Sequence, residues 1–120
     1  MTRSGEGIRF VIEIEVTDVP GFIDGARQCV EISRDEPGTL VYDWYLDEET
    51  GKARLYEAYA STEALAEHTA GRVFTEVGPK LLETCTFIHV DAFGDLGDAA
   101  DGPSFWPTTY WGEAFTAVSS

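Results

Sequence analysis

The sequence predicts a ferredoxin-like α+β domain with its elements in the order βαββαβ. Two kinds of periodicity predict it. Four stretches, at residues 8–16, 39–46, 53–60 and 85–93, alternate in polarity or are dense in β-branched and aromatic side chains, as strands are. Two other stretches, one after the first strand and one after the third, carry apolar residues at helical spacing.

In the first strand, Ile8, Phe10, Ile12, Ile14 and Val16 alternate with Arg9, Val11, Glu13 and Glu15, the pattern of a half-buried strand. Asp18, Pro20 and Gly21 punctuate the chain and can start a helix. Phe22, Ala26, Cys29, Val30 and Ser33 follow at helical spacing. The run Asp35-Glu36-Pro37-Gly38 stops that helix, because Pro cannot continue it and Gly takes the turn. Residues 39–46, TLVYDWYL, form the second strand, and the polar run 47–52 with Gly51 is a hairpin loop into the third, ARLYEAYA. Ser61 or Thr62 can cap the next helix, and Glu63 suits its first turn. Ala64, Leu65 and His68 share one face of it. Gly71 interrupts the helix, and a second piece to about Glu83 turns Phe74, Val77, Leu81 and Leu82 inward, with a kink at Gly78-Pro79. Residues 85–93, CTFIHVDAF, close the pattern.

The 120 residues fit one domain, with its core at residues 8–93. Residues 94–104 hold Gly, Asp, Ala and Pro and read as a loop. Phe105, Trp106, Tyr110, Trp111 and Phe115 then crowd into the last part of the chain. An aromatic extension of this kind, at 94–120, is expected to pack on its own domain or on a second subunit.

Composition narrows the function. Hydrophobic residues make up 43% and charged residues 25%, an ordinary globular balance. Twenty-two acids against eight Lys and Arg give a formal charge of −14, which repels nucleic acid and anionic membrane. No stretch approaches the ~20 apolar residues of a membrane span, and Met1–Gly7 holds no apolar run for a signal peptide. The expected location is the cytoplasm. Cys29 and Cys85 lack CxxC spacing, and two cysteines with two histidines make no spaced zinc motif. Buried free thiols are the expected state, with a disulfide as the open alternative. Phosphate-binding glycine loops and a nucleophile elbow are missing from the sequence, so no metal and no cofactor is expected.

Three segments carry a family pattern: EPGTLVYDWYLDEE (36–49), LYEAYAS (55–61) and EALAEH (63–68). Together they resemble the antibiotic biosynthesis monooxygenases, in which a Pro-Gly turn leads to an aromatic strand, then a Glu-x-aromatic strand, then a helix with an Ala/Leu…His segment. The resemblance spans roughly residues 8–93. It implies a homodimer whose two sheets pack face to face as a dimeric α/β barrel. A physical argument runs parallel to it: Val11, Val41, Tyr56 and Ala58 make the second sheet face partly apolar, and a second sheet would bury it. The resemblance also implies a pocket between each sheet and its helices, and a cofactor-independent monooxygenase acting on an aromatic or polyketide-like small molecule in secondary metabolism.

His68 is the candidate acid/base, since imidazole titrates near neutral pH and can take a proton from a phenolic or enolic substrate. The structural alternative is a helix histidine held in the core by a hydrogen bond. Tyr42, Trp44 and Tyr59 could stack on a flat ligand or simply pack. Glu57, in mid-strand, needs a buried partner or solvent, and Arg54, Arg72 or a backbone amide could supply one. Phe74 completes the candidate substrate-binding set together with His89, expected on the strand-four face of Cys85, Phe87 and Asp91. Alternation alone does not say which face meets the helices, because a one-residue slip reverses it. The chain contains no Asn, and Gln28 is its sole Gln. Relatives that oxygenate anthrone-type polyketides or degrade haem are associated with a pocket Asn, so neither mechanism carries over as it stands. Three readings remain: a cofactor-free oxygenase; a cyclase, dehydratase or isomerase on the same fold; and a non-catalytic ligand-binding or accessory protein.

Overall fold

The computed structural model describes residues 8–96 and 106–112. The elements are β1 (Ile8–Val16), α1 (Val19–Ser33), β2 (Thr39–Asp47), β3 (Lys52–Tyr59), α2 (Thr62–Thr69), a π-helical turn (Val73–Val77), α3 (Gly78–Leu81), β4 (Cys85–Phe93) and β5 (Thr108–Trp111). They build a mixed α+β domain of the ferredoxin-like kind. The sheet order is β2-β3-β1-β4-β5; the first four strands pair antiparallel and β5 runs parallel to β4. No helix among the described residues is long and apolar enough to cross a membrane.

Local chemistry sets the element boundaries. Asp18 caps α1, its side chain accepting from the Gly21 amide, and Pro20 sits in the first turn, where its missing N–H costs nothing. Ser61 caps α2 in the same way, its Oγ accepting from the Ala64 amide at 3.1 Å. Beyond Gly71 the chain widens into the π-helical turn, and the Gly78 amide donates back to the Val73 carbonyl. Pro79, just after it, lacks an N–H and crowds the preceding turn, a known cause of such local rearrangement.

The inner face of the sheet is set by β1 and β3. Ile8, Ile12 and Ile14 of β1 and Ala53, Leu55, Glu57 and Tyr59 of β3 are buried under the helices. Phe22 and Cys29 of α1 pack on them with Val73, Val77 and Leu81. A second cluster joins Ile8 and Tyr59 to Ala64, Leu65, Ala92 and Leu96. Each fully buried Ile or Phe contributes roughly 1.5–3 kcal/mol. Both cysteines are free and buried, and burial pushes the Cys29 thiol up to about 11.

Two bulges break the alternation read from the sequence. In β4 the register with β1 shifts so that Phe87 opposes Ile14 while His89 opposes Glu13 and Val90 opposes Ile12. Ile88 takes up the extra residue. Cys85 and Phe87 therefore face inward, and His89 and Asp91 face outward. The expectation that these four share one face is corrected by this bulge. A second shift, between Thr39 and Val41, leaves Leu40 exposed.

The outer face is mixed. Val11 and Val41 are half-buried and Ala58 is buried, while Tyr45 and Tyr56 are exposed and Glu13 pairs with Arg54 at 3.5 Å. The segment 106–112 returns to the sheet edge as β5, with Trp106 packed on Phe87 at 4.8 Å between ring centroids. Phe105 and Phe115 lie outside the described residues.

One close approach fixes the turn before β2 against α2. A Cβ added at Gly38 would meet the Ala64 Cβ at 2.3 Å and its Cα at 3.3 Å. The Gly38 carbonyl also accepts from the Ala60 amide at 2.9 Å. Gly38→Ala must therefore push α2 from the turn. We expect a loss of about 1–3 kcal/mol, read by denaturant unfolding.

Candidate active site

β2 and β3 lie side by side, and their register sets Tyr42 opposite Glu57 and Trp44 opposite Leu55. Both pairs face the helices. α2 is laid across this part of the sheet by its contacts with β2 and β3, and it lowers His68 onto the same spot. His68 is 2% exposed. Its imidazole lies between the Tyr42 and Tyr59 rings, with centroids at 5.1 Å and 5.3 Å, and meets the Phe74 ring edge-on at 5.7 Å.

The imidazole has a carboxylate partner that sequence reasoning missed. His68 Nδ1 lies 2.6 Å from Glu36 Oε1, and Glu36 is itself largely covered. Glu36 is fixed from both sides. Its amide donates to the Ser33 carbonyl at the end of α1, and the Thr39 hydroxyl donates to its Oε1 at 2.9 Å. An ionised carboxylate only accepts, so Nδ1 carries the proton of this hydrogen bond and Nε2 is the nitrogen able to take another. Read as sequence, Glu36 belonged to a helix stop. Its one signal was its place beside Pro37-Gly38, a turn that must run close to α2.

A second polar pair stands next to the first. The Tyr59 hydroxyl donates to Glu57 Oε1 in a short hydrogen bond. Glu57 is 8% exposed. Burial holds its carboxyl well above the usual carboxylate range, and the nearby Glu36 carboxylate adds to this, against the opposing pull of Tyr59 and His68. Glu57 is thus held toward its neutral, proton-bearing form. The Arg partners open to it in the sequence lie elsewhere: Arg54 pairs with Glu13 and Arg72 with Glu76. Burial and the neighbouring Glu57 likewise keep the Tyr42 and Tyr59 hydroxyls protonated.

Beside these groups, between the sheet and α2–α3, lies a cavity of about 600 Å³. That volume lies within the range of small-molecule sites. Tyr42, Trp44, Glu57, His68 and Phe74 all line it. Tyr59 stands behind Glu57 as its hydrogen-bond donor. Trp44 is held edge-on by Phe22 and Tyr42, at 5.5 Å and 5.7 Å. Leu82 and Phe74, expected inward, form part of the cavity wall but stay substantially exposed. His89 does not join the set. The bulge at Ile88 sends it to the outer face, where Nε2 contacts Thr109 Oγ1 at 3.0 Å and Asp91 at 3.4 Å. Among the described residues, no group of three or more His, Cys, Asp or Glu side chains is arranged to hold a metal ion.

The sign of the Glu57 shift gives a stability prediction. Its folded-state pKa is raised, so the stability tied to its proton is complete at acidic pH. That stability is lost as pH rises through the raised value. Glu57→Gln keeps a neutral group of the same shape that still accepts from Tyr59. We expect its Tm to match the parent at pH 4 and to exceed it at pH 8–9. Parallel melting curves across that range would contradict the assignment.

Residues 9–78 match the family described as antibiotic biosynthesis monooxygenase, more than half of the chain. The chain belongs to the antibiotic biosynthesis monooxygenase family. The match takes in β1 through the π-helical turn, and so both Glu36–His68 and Glu57–Tyr59. No curated protein matches the chain in sequence. Solved structures share its fold. MupZ from Pseudomonas fluorescens is 16% identical at a TM-score of 0.74, covering 94% of this chain and 98% of its own. That share takes in chain beyond β4. A conserved protein from Methanosarcina mazei Go1 is 22% identical at a TM-score of 0.63, with 72% of this chain and 89% of that one covered. An antibiotic biosynthesis monooxygenase of known structure is 25% identical at a TM-score of 0.56, with 70% of this chain and 94% of that one covered. The family match and the shared fold agree with each other.

Proposed function

We propose that this family member is a cofactor-independent oxygenase of a phenolic, enolic or polyketide-like small molecule. The observation that carries the reading is the pair of pairs at the buried end of one apolar cavity: His68 on Glu36, and Glu57 on Tyr59. His68 Nε2 takes an acidic C–H or O–H proton from the substrate, and Glu36 stabilises the imidazolium that forms. The proton on Glu57 supports negative charge developing on the substrate oxygen. Tyr42 and Trp44 hold the ring. For a methylene flanked by aromatic rings, the carbanion delivers its electrons to dioxygen and a C–O bond forms. The resulting hydroperoxide loses water to leave a carbonyl, so CH2 and O2 become C=O and H2O.

The test is oxygen consumption by pure, metal-free protein with a panel of anthrones and quinols. The reading expects turnover that stops without oxygen. One observation favours a second reading: a neutral carboxyl opposite a paired imidazole is an acid facing a base, the equipment of an isomerase, cyclase or dehydratase. Substrate conversion that persists anaerobically selects it. No conversion in either atmosphere leaves a ligand-binding or accessory role.

The same reading includes a cytoplasmic homodimer. Its support is the partly apolar outer face, where Val11, Val41, Tyr56 and Ala58 sit on one side of the sheet. Sedimentation equilibrium should give twice the chain mass.

A further inference from the structure

The cavity is graded from closed to open. His68 and Glu57 at one end are 2% and 8% exposed, while Phe74, Leu82 and Tyr110, which line the same cavity, stand at 41%, 43% and 45%. Single exposed apolar side chains are ordinary, but three around the mouth of one apolar cavity make a patch that marks a binding surface. The mouth is built from two sides. The π-helical turn and the end of α3 present Phe74 and Leu82, and β5 presents Tyr110, with Trp106 just before it. Phe74 connects the two ends, because its ring also meets His68. No Lys or Arg stands among the described residues that line the cavity, and Glu57 does. An anionic head group would therefore be desolvated beside Glu57 with no Lys or Arg to meet it.

We propose that the ligand is a neutral amphiphile. Its compact, oxygen-bearing head lies at His68 and Glu57, and its extended apolar tail leaves between Phe74 and Leu82 on one side and Trp106 and Tyr110 on the other. β5 is then the element that selects tail length. The inference rests on the reading of the closed end as the reactive end, but it is measured by binding alone.

The probes are 4-alkylphenols from ethyl to octyl, with octanoate as the anionic control, titrated by calorimetry below their aggregation concentrations. Affinity should rise roughly two- to fourfold per methylene, the upper figure being the full burial of one CH2. Octylphenol should bind at least tenfold tighter than octanoate. Leu82→Ser with Tyr110→Ser should halve the slope or more and leave ethylphenol within twofold of the parent. Phe74→Ser, at the third exposed position, should also lower the slope. His68→Gln should keep the slope, so that loss of the catalytic reading and loss of this one remain separable. A flat series, no binding of any phenol, octanoate bound as tightly as octylphenol, or a slope intact in the rim variants would each overturn the proposal. A rim variant that changes the sedimentation mass but not the slope assigns the patch to contact between copies, and overturns it too.

Discussion

Replacing His68 by Gln is expected to lower kcat/KM by about 10²–10⁴, the usual contribution of a positioned general base. Glutamine fills part of the imidazole volume and can still donate to Glu36, so the variant should fold. What it lacks is a ring nitrogen that can take a proton. The variant retains Tyr42 and Tyr59, whose rings flank His68, and ligand affinity should change far less than turnover. The measurement is steady-state kinetics on whichever substrate the aerobic and anaerobic panels reveal. A fall confined to KM, with kcat unchanged, would make His68 a packing residue.

Glu36→Gln is expected to cost tenfold to a thousandfold in kcat, roughly, although Glu36 need not touch substrate. The reason is the tautomer. A carboxylate at 2.6 Å from Nδ1 favours the tautomer with its proton there, which leaves Nε2 as the accepting nitrogen. A glutamine can turn its NH2 toward Nδ1, which then accepts, and the proton moves to Nε2, where it blocks base catalysis. The carboxylate charge that stabilises the imidazolium is lost as well. Glu36→Asp should recover part of the rate, since it restores the charge on a shorter arm. A positioning role also predicts that the pH–rate profile moves in the Gln variant, whereas a merely structural role would lower stability and leave the profile in place. Equal kcat in Glu36→Gln and the parent would remove the pair from the mechanism.

Much of this architecture is legible in the chain itself. The strand runs at 8–16 and 85–93 coincide with β1 and β4, the first because alternation over nine residues is a strong signal, the second because β-branched and aromatic residues fill it. Asp18 and Ser61 mark their helices because short polar side chains are the ones that reach a free amide at a helix start. His68, Tyr42, Trp44 and Glu57 can be named as candidates because strand parity and helix spacing put each on a definable face.

What the chain does not announce is long-range. The bulge at Ile88 inserts one residue into one partner of a pair, and no residue type encodes it; it reverses the parity of β4 and carries His89 away from the cavity. The parallel pairing of β5 with β4 joins segments separated by a loop, so local pattern offers no register. Glu36 is hidden because its neighbours Pro37 and Gly38 explain the turn completely. Its role depends on α2 packing back over that turn, a contact 32 residues away along the sequence.

The claim that a paired imidazole abstracts a substrate proton is tested most directly by solvent deuterium exchange. An anthrone analogue incubated anaerobically with the protein in D2O should exchange its methylene hydrogens faster than in buffer, followed by NMR. The acceleration should disappear with His68→Gln and fall with Glu36→Gln. Exchange catalysed equally well by the His68 variant, or no acceleration by the parent protein, would contradict the account.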